Sequence, residues 1–197
     1  MLSSEEKSKL IKIKKEMCTR VHEKKGDLQF QIAALISEAL YLKKITAILV
    51  GGSAVELYTL SEYTTKDIDM ILRGEDRDDL YDIMTFLDFE KRLGMRHFIH
   101  AELDFPIEFP PGPLQVASRF IEKIAEIKID HHVLKVIKIE DLILERICGF
   151  VEWKDKNSLQ QAELLVIKNK EIVHWQYLEE FAKAEGYLKE IKKLKLL

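Results

Sequence analysis

The sequence predicts a mixed α/β (α+β) fold, a β-sheet core with flanking N-terminal helices and a helical C-terminal part. Three observations carry this. Residues 45–50 form a short β-branched apolar run that stops at two glycines, and residues 66–72, 124–129 and 133–137 alternate with period two. Apolar residues also recur every three or four positions at both ends of the chain.

Taken in order, residues 4–24 align Leu10, Ile13, Met17 and Val21 on one narrow stripe, with Lys and Glu on the other faces, as in an amphipathic helix. Gly26 breaks it, and Asp27 is placed to cap a second helix over 28–41, whose denser apolar positions imply deeper burial. Residues 45–50 are apolar on both faces and read as a buried strand, central in its sheet. A helix follows over 53–60. Residues 66–72 are a second strand, with Asp67, Asp69 and Ile71 on one face and Ile68, Met70 and Leu72 on the other. A helix is expected over 78–86. Residues 101–114 are proline-rich, so 105–109 is expected to form only a short or edge strand. Residues 124–129 and 133–137 alternate as strands joined tightly at Asp130-His131-His132, and four helices follow, over 140–153, 158–168, 174–184 and 187–194. The implied organisation is N-terminal helices over 1–44 packing on a core of 45–138, then a helical region over 139–197.

Composition narrows the function classes. With 47% hydrophobic and 33% charged residues, the 197-residue chain has a globular balance and enough length to bury a core. No apolar run nears the ~20 residues that span a bilayer, and the Lys/Glu-rich first 15 residues hold no signal-peptide core, so a cytoplasmic location without membrane contact is expected. A net charge of −3 argues against a general polyanion binder. Cys18 and Cys148 lie far apart, in no metal-ligand spacing, and read as buried or half-buried free thiols.

The chemistry concentrates in Val50-Gly51-Gly52-Ser53 and, thirteen residues on, Asp67-Ile68-Asp69. Two glycines between a strand and a helix let a phosphate approach the backbone, where the helix N-terminus offers amide donors. Ser53 adds a hydroxyl. Asp67 and Asp69 project from one face of a strand, and two close carboxylates repel unless a cation neutralises them. Mg²⁺, or Mn²⁺, suits that donor set, taking one or two carboxylates and completing its shell with water and substrate phosphates.

These residues resemble the nucleotidyltransferase superfamily, the DNA polymerase beta-like fold. Its signature is a hydrophobic residue, Gly, Gly or Ser, a gap of roughly ten residues, then Asp-hydrophobic-Asp/Glu. Residues 48–72, the segment Phe105-Pro106-Ile107-Glu108-Phe109-Pro110-Pro111-Gly112-Pro113-Leu114, and residues 140–155 are similar to small, little-characterised single-domain nucleotidyltransferases. That group is related to toxin–antitoxin and abortive-infection proteins. The resemblance implies a third metal-binding carboxylate on a later strand. Glu108 and Asp104 compete for it, and Glu108 is favoured because it runs directly into Phe-Pro-Pro-Gly-Pro-Leu. A Glu stands here where many members carry Asp.

The expected activity is Mg²⁺-dependent transfer of a nucleoside monophosphate from a nucleoside triphosphate to an acceptor: a protein, a tRNA or a small molecule. Catalytic and metal roles fall to Asp67, Asp69 and Glu108, and nucleotide contacts to Gly51, Gly52, Ser53, Lys66 and Lys154. The alternative is a weakly active or inactive binding module, a toxin–antitoxin-type partner or scaffold, either as a homo-oligomer or with another protein. Competing structural roles exist. Ser53 and Glu56 fit a capping box, Lys66 fits an ion pair with an acidic neighbour, and Lys154 fits an exposed helix-end pair with Asp155. His131 and His132 read as a solvated turn, and His97 and His100, flanking a strand start, do not read as a zinc site.

Overall fold

The computed structural model describes residues 2–23, 27–74, 77–91 and 97–197. Gly26 and Lys24, read above as the end of the first helix, lie outside the described residues. The chain divides into two compact units. The first comprises residues 1–49, 66–113 and 125–136, and the second residues 50–65, 114–124 and 137–197.

The first unit is a seven-stranded mixed sheet with helices. In chain order its elements are α1 (Ser4–Glu23), α2 (Leu28–Tyr41), β1 (Thr46–Leu49), β2 (Ile68–Arg73), α4 (Arg77–Phe86), β3 (Glu90–Lys91), β4 (His97–Ile99), β5 (Ile107–Glu108), β8 (Ala125–Ile129) and β9 (His132–Val136). The numbers missing from this series belong to the second unit: α3 (Gly51–Tyr58), the hairpin β6 (Gln115–Val116) and β7 (Arg119–Phe120), and the helices α5 (Ile139–Trp153), α6 (Lys156–Asn169), α7 (Trp175–Glu185) and α8 (Leu188–Leu194).

The strand order in the large sheet is β3-β4-β5-β2-β1-β9-β8. β1 is interior, as its two-faced apolar sequence predicts: it runs antiparallel to β2 and parallel to β9. Helix α2 packs on β1 and β9, and its core face includes Phe30, Ile32, Leu35 and Ile36, all at most 1% exposed. The narrow stripe of α1 then packs on α2, burying Leu10, Ile13, Met17 and Val21. In β2 the alternation holds residue by residue. Ile68, Met70 and Leu72 are buried, while Asp69, Ile71 and Arg73 are half-buried.

The 105–109 segment forms the short strand expected, of only two residues, and β5 lies between β4 and β2. A strand that short meets the proline rule from the other side, since Pro106 and Pro110 stand just outside the ladder, where no amide is required. Lys66 precedes β2 rather than opening it, and is exposed. Asp27 occupies the N-cap of α2 without a side-chain cap bond; its backbone carbonyl accepts from Phe30 and Gln31 instead.

In the second unit, α5 and α6 are a closely packed pair, with α3 and α7 against α5 and α8 against α7. Asp155 caps α6, its Oδ1 accepting from Asn157 N (3.0 Å) and its Oδ2 from Ser158 Oγ (2.6 Å). Cys18 and Cys148 are both half-buried free thiols. Among the described residues no helix is long and apolar enough to cross a membrane.

Ile48 has no exposed surface in the interior strand of the large sheet. Ile48→Ala is expected to lower unfolding free energy by about 2–5 kcal/mol, measured by urea denaturation. A loss under ~1 kcal/mol would mean that β1 does not sit in a packed core.

Candidate functional site

The glycine turn belongs to the second unit. The chain leaves β1 and enters α3 at Gly51, two residues earlier than the expected start at Ser53. Gly51 has φ 62°, a left-handed conformation that a side chain disfavours. A Cβ on Gly52 would stand 3.1 Å from Thr65 Oγ1 and 3.5 Å from Tyr63 Oη, so the backbone there is closely approached by its own loop. The first α-helical bond is Ala54 N to Val50 O (3.2 Å), which leaves the amides of Gly51 and Gly52 ahead of it as N-terminal donors.

Ser53 is fully buried and its Oγ donates to Val50 O (2.9 Å). The capping role expected of Ser53 falls instead at Val50, the N-cap of α3. Glu56 is buried, and its Oε2 accepts from Thr65 N (2.8 Å), which ties the loop after α3 back onto the helix. Lys154 ends α5 in the left-handed region (φ 59°), with Nζ donating to Val151 O (2.9 Å). A cleft of about 280 Å³ lies beside Tyr63, lined also by Asn157, Gln160 and Gln161.

The carboxylates belong to the first unit. β5 pairs parallel with β2, and the register sets Asp69 opposite Glu108 and Ile68 opposite Ile107. Residues in register share a sheet face, so Asp69 and Glu108 are neighbours on the half-buried face, with Asp67 two residues back along the same chain. Asp104, the competing candidate, is exposed in the bend before β5 and outside this ladder.

One member of the row was not anticipated as such. β4 pairs antiparallel with β5, which sets His97 opposite Glu108, and His97 Nε2 is 3.3 Å from Glu108 Oε2. His97, Glu108 and Asp69 thus form a row across β4, β5 and β2. Weighed only as a zinc ligand, His97 carries no sequence signal for this position, because its strand is three residues long and its partner is eleven residues away.

The second unit also holds a cleft that sequence periodicity does not reveal. Its volume is about 490 Å³, and Arg119, Lys123, Lys138, Asp141, His174 and Tyr177 contribute to its lining. Asp141 is 1% exposed and accepts from Tyr177 Oη (2.6 Å). Burial pushes the Asp141 carboxyl up, against the lowering effect of the tyrosine bond. Burial, and then the same bond, push the Tyr177 phenol up to about 12, so it stays a donor. The guanidinium of Arg119 lies 4.1 Å from the Phe181 ring centroid.

The mixed sheet, the glycine turn at the end of its interior strand and the Asp-x-Asp on the next strand define a nucleotidyltransferase-like protein. The chain matches, over residues 27–195, the family described as nucleotidyltransferase of unknown function (DUF6036), and it belongs to that family. A crystal structure of an antigenic nucleotidyltransferase-like protein from Paracoccidioides brasiliensis is similar in fold, with a TM-score of 0.55 and 16% identity. That similarity covers 83% of this chain and 91% of the other. No curated protein matches the chain in sequence.

Removing the phenolic hydroxyl leaves Asp141 a buried carboxylate with one donor fewer. Tyr177→Phe is expected to destabilise by about 1–3 kcal/mol at neutral pH. A carboxyl whose folded pKa is raised loses stability as pH rises through that pKa, so the loss should shrink when unfolding is measured near pH 4. A loss that is equal at both pH values would exclude the Asp141 bond as its source.

Proposed function

We propose that this chain is a divalent-metal-dependent nucleotidyltransferase that moves a nucleoside monophosphate from a nucleoside triphosphate to an acceptor hydroxyl. The observation that carries the reading is the register of β2 and β5, with Asp69 beside Glu108 and Asp67 two residues away. Three carboxylates are a hard oxygen donor set, which fits Mg²⁺ or Mn²⁺. Asp67, Asp69 and Glu108 are the residues that would hold the metal. When bound, the metal would neutralise charge on the reacting phosphoryl group and the leaving pyrophosphate.

The remaining work falls to the chain's own residues. Gly51 and Gly52 offer backbone amides to phosphate oxygens at the helix start, where the dipole favours an anion. Ser53, its hydroxyl held on Val50, keeps the first turn in shape for that contact. A carboxylate oxygen on β2 not engaged in metal binding accepts the proton of the acceptor hydroxyl. Lys66, exposed just before β2, is a cation for the triphosphate, and Lys154 serves in the same way if its bond to Val151 opens. Acceptor classes compatible with this chemistry are a protein side chain, a tRNA end or a small hydroxylated molecule.

The test is label transfer from each α-labelled nucleoside triphosphate to protein extract, tRNA and small-molecule acceptors, with Mg²⁺ or Mn²⁺. Asp69→Asn and Glu108→Gln are each expected to lower transfer about a hundredfold or more. Transfer undiminished in Asp67→Asn or Asp69→Asn overturns the mechanism. Triphosphate binding that raises Tm without transfer to any acceptor favours the second reading, a binding module of toxin–antitoxin type.

A further inference from the structure

The tight turn between β8 and β9 does more than reverse the chain. His131 Nε2 lies 3.2 Å from Glu16 Oε1, and His132 Nε2 lies 3.0 Å from the same oxygen. The three ligand atoms all fall within 4.8 Å of one another. Glu16, on α1, is 116 positions from His132, so no sequence spacing links it to the histidines expected in a solvated turn.

From this geometry we propose that Glu16, His131 and His132 form a site for a borderline divalent cation, zinc in the first instance. The site would clasp α1 to the β8–β9 turn. Two imidazoles and one carboxylate are a zinc donor set with the fourth position left open. At bond lengths near 2.0–2.1 Å, the ligand atoms of a tetrahedral zinc stand about 3.3 Å apart, close to the two separations at Glu16 Oε1. His131 is 66% exposed and can turn to close the remaining distance, whereas His132 is 9% exposed and fixed.

The surroundings suit a metal-binding histidine. His132 Nδ1 is 2.7 Å from Glu38 Oε2, so both ring nitrogens face carboxylates. A neutral imidazole with a cation at Nε2 and Nδ1–H donated to Glu38 satisfies both contacts, as a doubly protonated imidazolium does without a metal. A carboxylate on the far ring nitrogen is the usual support of a metal-binding histidine. Arg20 bonds Asp130 Oδ2 (2.6 Å), an anchor it keeps when a cation takes its place at Glu16 Oε1. His131 and His132 line a cleft of about 380 Å³, through which water can supply the fourth ligand.

This site is separate from the carboxylate row. β1 sets Leu49 opposite both Met70 of β2 and Val136 of β9, so Asp69 lies near the Val136 end of the sheet. His132 is four residues back along β9, about 13 Å toward the opposite end.

The experiment equilibrates the full chain with Zn²⁺ in millimolar Mg²⁺, removes unbound metal and measures zinc per chain by mass spectrometry. Tm with and without Zn²⁺, and the visible absorption of the Co²⁺-substituted protein, are recorded alongside. Expected are one zinc per chain, a Tm increase that Mg²⁺ alone does not produce, and the strong absorption of four-coordinate Co²⁺. Glu16→Gln, His131→Ala and His132→Ala should each abolish the retained zinc, and Glu38→Gln should weaken binding about 10–100-fold. His131 is exposed, so its variant stays informative if His132→Ala fails to fold, which circular dichroism reports. Asp69→Asn should retain the zinc. A chain that holds no zinc overturns the proposal, as does zinc kept by His131→Ala and lost by Asp69→Asn.

Discussion

The two-residue ladder between β2 and β5 is the constraint on which the first unit's chemistry depends. Ile68 N donates to Pro106 O (3.0 Å), and from that bond the register sets Ile68 opposite Ile107 and Asp69 opposite Glu108. β4 extends both rows by one member, with Phe98 opposite Ile107 and His97 opposite Glu108. Period two then separates the rows. Ile68, Ile107 and Phe98 are buried at 0–3% exposure, while Asp69, Glu108 and His97 stay half-buried on the other face. Burial of the apolar row thus sets the position of the polar one. A slip of one residue would send the carboxylates into the core, where unpaired charge is costly enough to forbid it.

Carboxylates brought together on adjacent strands favour positive charge beside them. His97 Nε2 stands 3.3 Å from Glu108 Oε2, within reach of that carboxylate. In the proposed reaction a divalent cation with its triphosphate supplies positive charge to this row.

The legible part of this fold is what local periodicity encodes. The interior strand, the Asp-x-Asp alternation and the four C-terminal helices follow from spacing within a few residues. The choice between Asp104 and Glu108 does not, since it is decided by which residue a neighbouring strand holds in register, and prolines hide a strand that short. Glu56 shows a subtler limit. The capping-box spacing is present, yet the side chain serves Thr65 N, nine residues on, because the loop returns over the helix and its amide needs a buried acceptor. Contacts such as Asp141 with Tyr177 and Glu16 with His132 span 36 and 116 positions and leave no periodic trace.

Two proposed cation sites at opposite ends of one sheet raise the question of how each avoids the other's metal. Donor chemistry supplies an answer. The Asp67, Asp69 and Glu108 set is all oxygen and suits a hard ion that keeps much of its water, whereas Glu16, His131 and His132 are two-thirds nitrogen. Magnesium dehydrates reluctantly and gains little from imidazole, so abundance alone does not place it on the turn. Zinc gains from both imidazoles, and from the polarising contact of Glu38, what it would lack among carboxylates. The clasp also acts on different structure. It joins α1 to the strand on which α2 packs, so its occupancy bears on how firmly the N-terminal helices hold the sheet, while the metal on the carboxylate row bears on substrate.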